Sequence, residues 1–323
     1  MAGFPISEKL KERFCTDYKI PINIYKEPYF TERLVLLDSL FQTINKWSRF
    51  VEEVRKYDNE QAYFEEYNHV KDNAIAFIKE TCGYKHLNAE DMNRFSIINK
   101  GLPGKDIYKP TNDGRLFISI DMQKANFSTL SYYSRDIFRY ADTWEEFMRN
   151  FTENKHIIHS KYIRQVILGN CNPKRHITLE KFLMDLALTY ILKDELLQRY
   201  GLTKETVVFF SNDEIVFDVT DVFAESDAST NPAVILKRME SVTNKLASIP
   251  FRFEIFTLKK IKGLSEGYIK DGAERITIKG VDANMYPFVA RTLKNEAIEE
   301  NDKIFLRNGY LCKYIDTPVI SIN

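Results

Sequence analysis

Two stretches of this sequence put carboxylates where carboxylates are costly. In R-L-F-I-S-I-D-M-Q-K-A-N-F-S-T-L-S-Y-Y, from Arg115 to Tyr133, a largely apolar, β-rich run ends on Asp121. In V-V-F-F-S-N-D-E-I-V-F-D-V, Asp213 and Glu214 fall in a tight turn between two short apolar strands. A charged carboxylate at the end of a buried strand is unfavourable unless it is paired or holds a metal. Two carboxylates brought together also repel, and both stay ionised only with cations between them. Mg²⁺ or Mn²⁺ suits such oxygen ligands, and Mg²⁺ completes its shell with water and substrate phosphates. A pair of such ions activates an attacking hydroxyl and stabilises a leaving oxygen in phosphoryl transfer. The expectation is that Asp121 and Asp213 fold into one cation-holding cleft.

The elements that must position these residues can be read from periodicity. Residues 1 to about 28 read as irregular, punctuated by Pro5, Pro21 and Pro28. From Thr31, apolar residues at three- and four-residue steps to Val51 predict one amphipathic helix, and a second follows from about Asn59 to Thr81. Tyr84 to Gly114, with Pro103, Gly104, Pro110 and Asn112-Asp113-Gly114, reads as a connector. Helices are then expected over Gln123–Phe138, Trp144–Phe151 and His156–Leu168. Thr178, in T-L-E-K, is expected to cap a long helix to about Arg199, ended by Gly201. A hairpin spans Thr206–Phe210 and Ile215–Val219. A polar loop, Glu225 to Thr230, leads through Pro232 into a helix to about Ala247. Strands follow over Phe251–Leu258, Gly267–Asp271 and Arg275–Ile278.

From residue 115 the order is strand, helices, strand, strand, helix, strand. That order predicts an α+β protein whose four-stranded antiparallel sheet is ferredoxin-like, with helices on one face and a helical N-terminal region before it. The expected organisation is a helical region and connector over 1–114, and a sheet domain over 115–281 with a helical insertion at about 135–200. A terminal segment over 282–323 completes the chain.

Lys+Arg and Asp+Glu are both 46, so net charge offers no whole-chain attraction to nucleic acid, and any basic groove must be local. Cys15, Cys82, Cys171 and Cys312 form no C-x-x-C pair, which argues for a reducing compartment rather than a zinc knuckle or disulfide framework. No apolar run of about 18 residues and no signal-peptide core is present, so a soluble, intracellular protein without membrane contact is expected, cytoplasmic, nuclear or viral. His156 and His159 stand at i, i+3 but lack a third ligand at useful spacing, and read as surface or packing residues.

The residues around Asp121, I-S-I-D-M-Q-K-A-N-F-S-T-L, resemble the first palm motif of right-hand nucleic-acid polymerases. F-F-S-N-D-E-I-V-F-D around Asp213 is similar to the third palm motif, with Asn212 in place of His. The resemblance covers Arg115 to Val281. It implies a palm-like fold for the sheet domain and a thumb-like role for the terminal segment. It also implies that Asp121, Asp213 and the backbone carbonyl of Met122 bind metal, and that Glu214 is an auxiliary catalytic carboxylate. K-Y-I-R-Q-V-I-L-G resembles the polymerase helix that contacts the incoming triphosphate, with Lys161, Arg164 and Gln165 on one face. Lys259, Lys260, Lys270 and Lys279 lie in segments resembling the two-lysine palm segment and primer-facing strands. Lys259 or Lys260 would protonate the departing pyrophosphate.

Polymerases that select deoxynucleotides often place a bulky residue five or six positions after the first Asp. Here those positions hold Asn126 and Phe127; Phe127 facing the sugar would favour deoxynucleotides, and Asn126 would tolerate ribonucleotides. The basic stretch N-P-K-R-H, with Lys174, Arg175 and His176 before a helix, is a candidate phosphate contact. The expected activity is template-dependent nucleotidyl transfer from a nucleoside triphosphate to a primer 3′-hydroxyl, with nucleic acid, triphosphates and other replication or transcription subunits as partners. The alternatives are a non-catalytic nucleic-acid-binding subunit of palm-like fold and a palm nucleotidyltransferase acting without template.

Overall fold

The computed structural model describes residues 4–105, 107–225, 232–246 and 248–322. The polar loop expected at Glu225–Thr230 and the helix end at Ala247 lie largely outside these residues. The chain is a mixed α/β protein with an antiparallel sheet and a helical N-terminal region.

The N-terminal helices are α1 (Glu8–Tyr18), α2 (Tyr29–Phe41), α3 (Thr43–Val54), α4 (Glu60–Glu80) and α5 (Cys82–Ala89). The first corrects the expectation of an irregular start: Ser7 accepts the Leu10 N–H as N-cap, and Leu10, Phe14 and Cys15 turn one face inward. The single helix expected from Thr31 to Val51 is broken at Gln42, whose φ of 53° no helix interior accepts. Periodicity carries across such a break because both halves bury the same kind of face. Cys82–Ala89 likewise forms a helix within the expected connector, capped by Thr81.

Strand β1 (Leu116–Met122) precedes α6 (Ala125–Tyr133), α7 (Trp144–Met148), α8 (Lys155–His159), α9 (Lys161–Gly169), α10 (Pro173–Leu192) and α11 (Glu195–Arg199). The long helix begins at Pro173 rather than at Thr178, with proline at its first position, where the missing N–H costs nothing. Thr178 bonds back to the Lys174 carbonyl instead of capping. Strands β2 (Val207–Phe210) and β3 (Glu214–Asp218) form the hairpin; α12 (Thr220–Glu225) and α13 (Pro232–Thr243) lead to β4 (Phe251–Lys262), β5 (Tyr268–Gly272) and β6 (Ile276–Lys279). The terminal residues form α14 (Tyr286–Lys294), a hairpin of β7 (Ile304–Arg307) and β8 (Tyr310–Lys313), and β9 (Ser321–Ile322).

The main sheet runs β2-β3-β1-β4-β5-β6, with β9 beside the end of β4. It is larger than the four strands expected. Alternation along its strands divides the two faces. Ile118, Ile120, Met122, Ile215 and Phe217 pack with Leu183, Leu188, Ile235 and Met239 of α10 and α13. The other face carries Phe117, Val216, Phe256, Leu258 and Tyr268 under Ile107, and beyond them a row of charged residues.

A second core joins α1–α5 to α6–α9, and includes Ile261, Ile269, Tyr286 and Val289. It runs through the boundaries expected near residues 114 and 281. The terminal segment is tied to the N-terminal helices: buried Arg33 of α2 reaches Asp302 at 3.1 Å and the carbonyls of Asn301, Asp302 and Ile304. Arg291 of α14 holds the other Asp302 oxygen at 2.9 Å.

Candidate acidic site on the open face of the sheet

The antiparallel register of β1 and β3 sets Asp121 opposite Glu214, while β4 sets Arg252 opposite Asp121 on the other side. The Met122 N–H donates to the Asp213 carbonyl at 2.8 Å, so the two acidic segments are directly adjacent. Local chemistry fixes both ends. Ser211 shapes the hairpin, its Oγ accepting the Glu214 N–H at 3.0 Å and donating to Asp213 Oδ1 at 3.1 Å. After Asp121 the chain turns sharply: Lys124 has φ 48°, an unfavourable region for a non-glycine residue, and its ammonium pairs with Glu145. The Gln123 N–H bonds the Pro250 carbonyl, and Phe127 N–H the Lys124 carbonyl, so the turn is fastened at each step.

Burial pushes the Asp121 carboxyl above its ordinary value; Arg252 opposes that, and Glu214 and Asp213 reinforce it. Arg252 donates to Asp121 Oδ2 at 2.9 Å. Lys270, only 7% exposed, donates to Glu214 at 3.2 Å and lies 3.9 Å from Glu254. Glu254 is held by Arg275 at 3.0 and 3.2 Å. The open face thus carries acids and bases in alternation, with Asp121, Glu214 and Glu254 each beside a basic side chain.

Among the described residues, no group of three or more His, Cys, Asp or Glu side chains stands close enough to hold a metal ion. Mg²⁺ is commonly held by only one or two carboxylates plus substrate phosphates, so the facing pair Asp121 and Glu214, with Asp213 adjacent, is a donor set of the fitting kind. Arg252 and Lys270 are the groups a cation would have to displace. The Met122 side chain turns to the covered face, accepting from Thr129 Oγ1 at 3.4 Å.

Of the residues expected at the triphosphate, Lys161 is within electrostatic reach of Asp121. Burial and nearby Arg164 lower its pKa, while Asp121 raises it; Lys19 and Lys279 add positive potential. Arg164 turns half inward; burial lowers its pKa, Glu145 opposes this, and its Nε lacks a hydrogen-bond partner among the described residues. Gln165 and Asn126 meet in a small depression of 190 Å³ that Glu180 and His176 also line. Phe127 does not reach it: it is 5% exposed and packs on Phe138, ring centroids 4.7 Å apart.

The remaining basic residues are spread and mostly committed elsewhere. Arg175 donates to the Leu87 and Glu90 carbonyls at 2.7 and 2.8 Å, which fastens α10 to α5 rather than facing a strand. Lys174 is exposed in the first turn of α10. Lys259 pairs with Asp271 at 2.7 Å, and Lys260 donates to the carbonyls of Leu264 and Ser265. Lys279 is exposed. His156 is buried against Asp17 at 2.7 Å and belongs to packing, whereas His159 is exposed.

Arg252, Glu254 and Glu180 join the site without having been singled out in the sequence. Opposite charges at alternate positions of F-R-F-E-I-F were the available signal for the first two. Glu180 is 5% exposed; burial pushes its pKa up to about 7, the Asn212 amide at 2.6 Å opposes this, and Asp213 adds to it. Nothing in T-L-E-K distinguished it from an exposed helix glutamate. No helix among the described residues is long and apolar enough to cross a membrane. Comparison with family models, with curated proteins and with solved structures returns no match for this chain.

Proposed function

We propose that this chain is a Mg²⁺-dependent nucleotidyltransferase of palm-like, ferredoxin-like fold, extending a primer on a nucleic-acid template. The observation that carries this reading is the β1–β3 register, which places Asp121 against Glu214 with Asp213 one residue away. The order β2-β3-β1-β4, with helices on one face, supports the palm-like fold. Asp121 and Asp213 would hold the metal, with Glu214 beside them. A bound divalent ion supplies charge stabilisation for phosphoryl transfer. Lys161, within electrostatic reach of Asp121, would bind the triphosphate, and Asn126 with Gln165 would frame the sugar. Lys259 pairs with Asp271 and Lys260 with carbonyls of its own turn, so neither is the support for this reading.

The test is incorporation into a labelled primer–template with Mg²⁺ or Mn²⁺. Asp121→Ala and Asp213→Ala should each lower it by at least about two orders of magnitude. Equal incorporation by all three proteins overturns the reading. With Asn126 rather than Phe127 at the depression, ribonucleotides should be accepted, and Asn126→Phe should shift preference towards deoxynucleotides. An unchanged ratio in competition assays removes Asn126 from the sugar site.

One observation favours a second reading, a non-catalytic nucleic-acid-binding subunit. Arg252 and Lys270 already pair with Asp121 and Glu214. Calorimetric titration separates the two: the enzyme takes up Mg²⁺ in a carboxylate-dependent way, and the binding module does not.

A further inference from the structure

The depression of 190 Å³ lined by Asn126, Gln165 and Glu180 is smaller than the about 300–1,000 Å³ usual for whole small ligands, so it suits one ring of a larger one. Both acidic segments meet at it. Asn126 follows Asp121 in the turn into α6, and Glu180 accepts the amide of Asn212, the residue before Asp213, at 2.6 Å. No lysine or arginine lines the depression among the described residues, and Glu180 is within electrostatic reach of Asp213, so a phosphate is disfavoured there. The apolar lining comes from Leu168, Pro173 and Ile177.

The three polar side chains each keep bonding capacity. Glu180 is 5% exposed and its Oε2 holds Asn212, whereas its Oε1 makes no hydrogen bond among the described residues and is not sealed from solvent. An oxygen set this deep gains more from a fixed partner than an exposed one, because the local dielectric is low. The Asn126 carbonyl takes the Phe127 N–H at 2.9 Å, which leaves its NH₂ as a donor. The Gln165 side chain is exposed and makes no hydrogen bond among the described residues. A carboxyl and two amides around one small hollow fit a group that both donates and accepts, as a hydroxyl does. A hydroxyl meets Oε1 whether or not that carboxyl carries its proton.

We propose that Glu180 Oε1 bonds the ribose 2′-hydroxyl of the incoming nucleotide, with Asn126 and Gln165 beside the ring, so that this chain selects ribonucleoside triphosphates. The proposal rests on the nucleotidyltransferase reading and adds that the sugar is recognised rather than tolerated. A site that hydrogen-bonds a hydroxyl rejects the analogue lacking it, because its own polar group is then left unpaired.

Equilibrium titration of the full chain with ATP and 2′-deoxyATP in Mg²⁺ tests it, alongside primer extension with the same two nucleotides. ATP should bind at least about tenfold tighter, the worth of one hydrogen bond to a carboxyl. Glu180→Leu should bring that ratio near one, and Glu180→Gln, which keeps a hydrogen-bonding end, should retain most of it. A change that only loosens the fold weakens both nucleotides and leaves the ratio alone. 3′-DeoxyATP should bind like ATP; a loss confined to it overturns the 2′ assignment. A wild-type ratio near one, or a ratio that Glu180→Leu leaves intact, overturns the proposal even where primers are extended. A Glu180-dependent preference for ATP without primer extension overturns the polymerase reading and keeps the sugar site. Absence of saturable binding by either nucleotide overturns both.

Discussion

The two faces of the central sheet are made by alternate residues of the same strands, yet they are held by different forces. On the covered face Ile118, Ile120, Ile215 and Phe217 are fully buried under α10 and α13. On the open face Asp121, Glu214, Arg252, Glu254 and Lys270 balance one another through ion pairs that solvent partly reaches. The first face gains stability from the apolar area that leaves water. The second gains stability from Phe117, Val216 and Phe256 buried on the same side, and less from the Arg252–Asp121 pair, which solvent screens. The comparison teaches that apolar burial beneath the helices and charge pairing on the open side are segregated by a period of two.

That contrast can be broken by substitution on either side. The largest effect is expected from Phe217→Ala on the covered face, which should cost about 3–5 kcal/mol in chemical denaturation. A loss under about 1 kcal/mol would mean the helices do not depend on this face.

Glu180→Gln comes next. The folded-state pKa of Glu180, about 7, lies above its ordinary value, so its contribution to stability is complete below about pH 4.5 and is lost as pH rises towards 7. The substitution should therefore leave stability unchanged near pH 4 and raise it above pH 7, by as much as about 3 kcal/mol. Parallel stability–pH curves for both proteins would contradict the buried, protonated carboxyl.

The smallest effect belongs to Arg252→Met on the open face. Stability should change by less than about 1 kcal/mol. The Asp121 carboxyl, which Arg252 now draws downward, should titrate at higher pH in a carbon-detected NMR experiment. A loss comparable to that of Phe217→Ala would show that the charged row is structural.

Much of this molecule was legible in the residues alone. The hairpin around Asp213, the strand ending at Asp121 and the alternation of β4 follow from short-range rules: apolar period, turn chemistry and the cost of a stranded carboxylate. The helix from about Asn59 to Thr81 was legible for the same reason, and Asn59 caps it within one turn. The break at Gln42, the helix at Glu8–Tyr18 and the start of α10 at Pro173 were not. Ser7 and Pro173 are local start signals that periodicity does not weigh, and the break at Gln42 leaves the apolar period running on both sides.

The basic residues show the limit most clearly. Lys270, Lys259, Lys260 and Arg175 looked alike as cations, but one lies at the carboxylates, one pairs with Asp271 and two bond backbone carbonyls. Likewise Asn126 and Phe127 are neighbours, and only packing sent the ring into the core and the amide to the depression. The sequence by itself determined which residues are charged, which runs are apolar, and where a carboxylate would be stranded at a strand end. Only the tertiary structure decided which charges meet, because ion pairing across β1, β3, β4 and β5 depends on strand register, and a shift of one residue would send every one of those side chains to the opposite face.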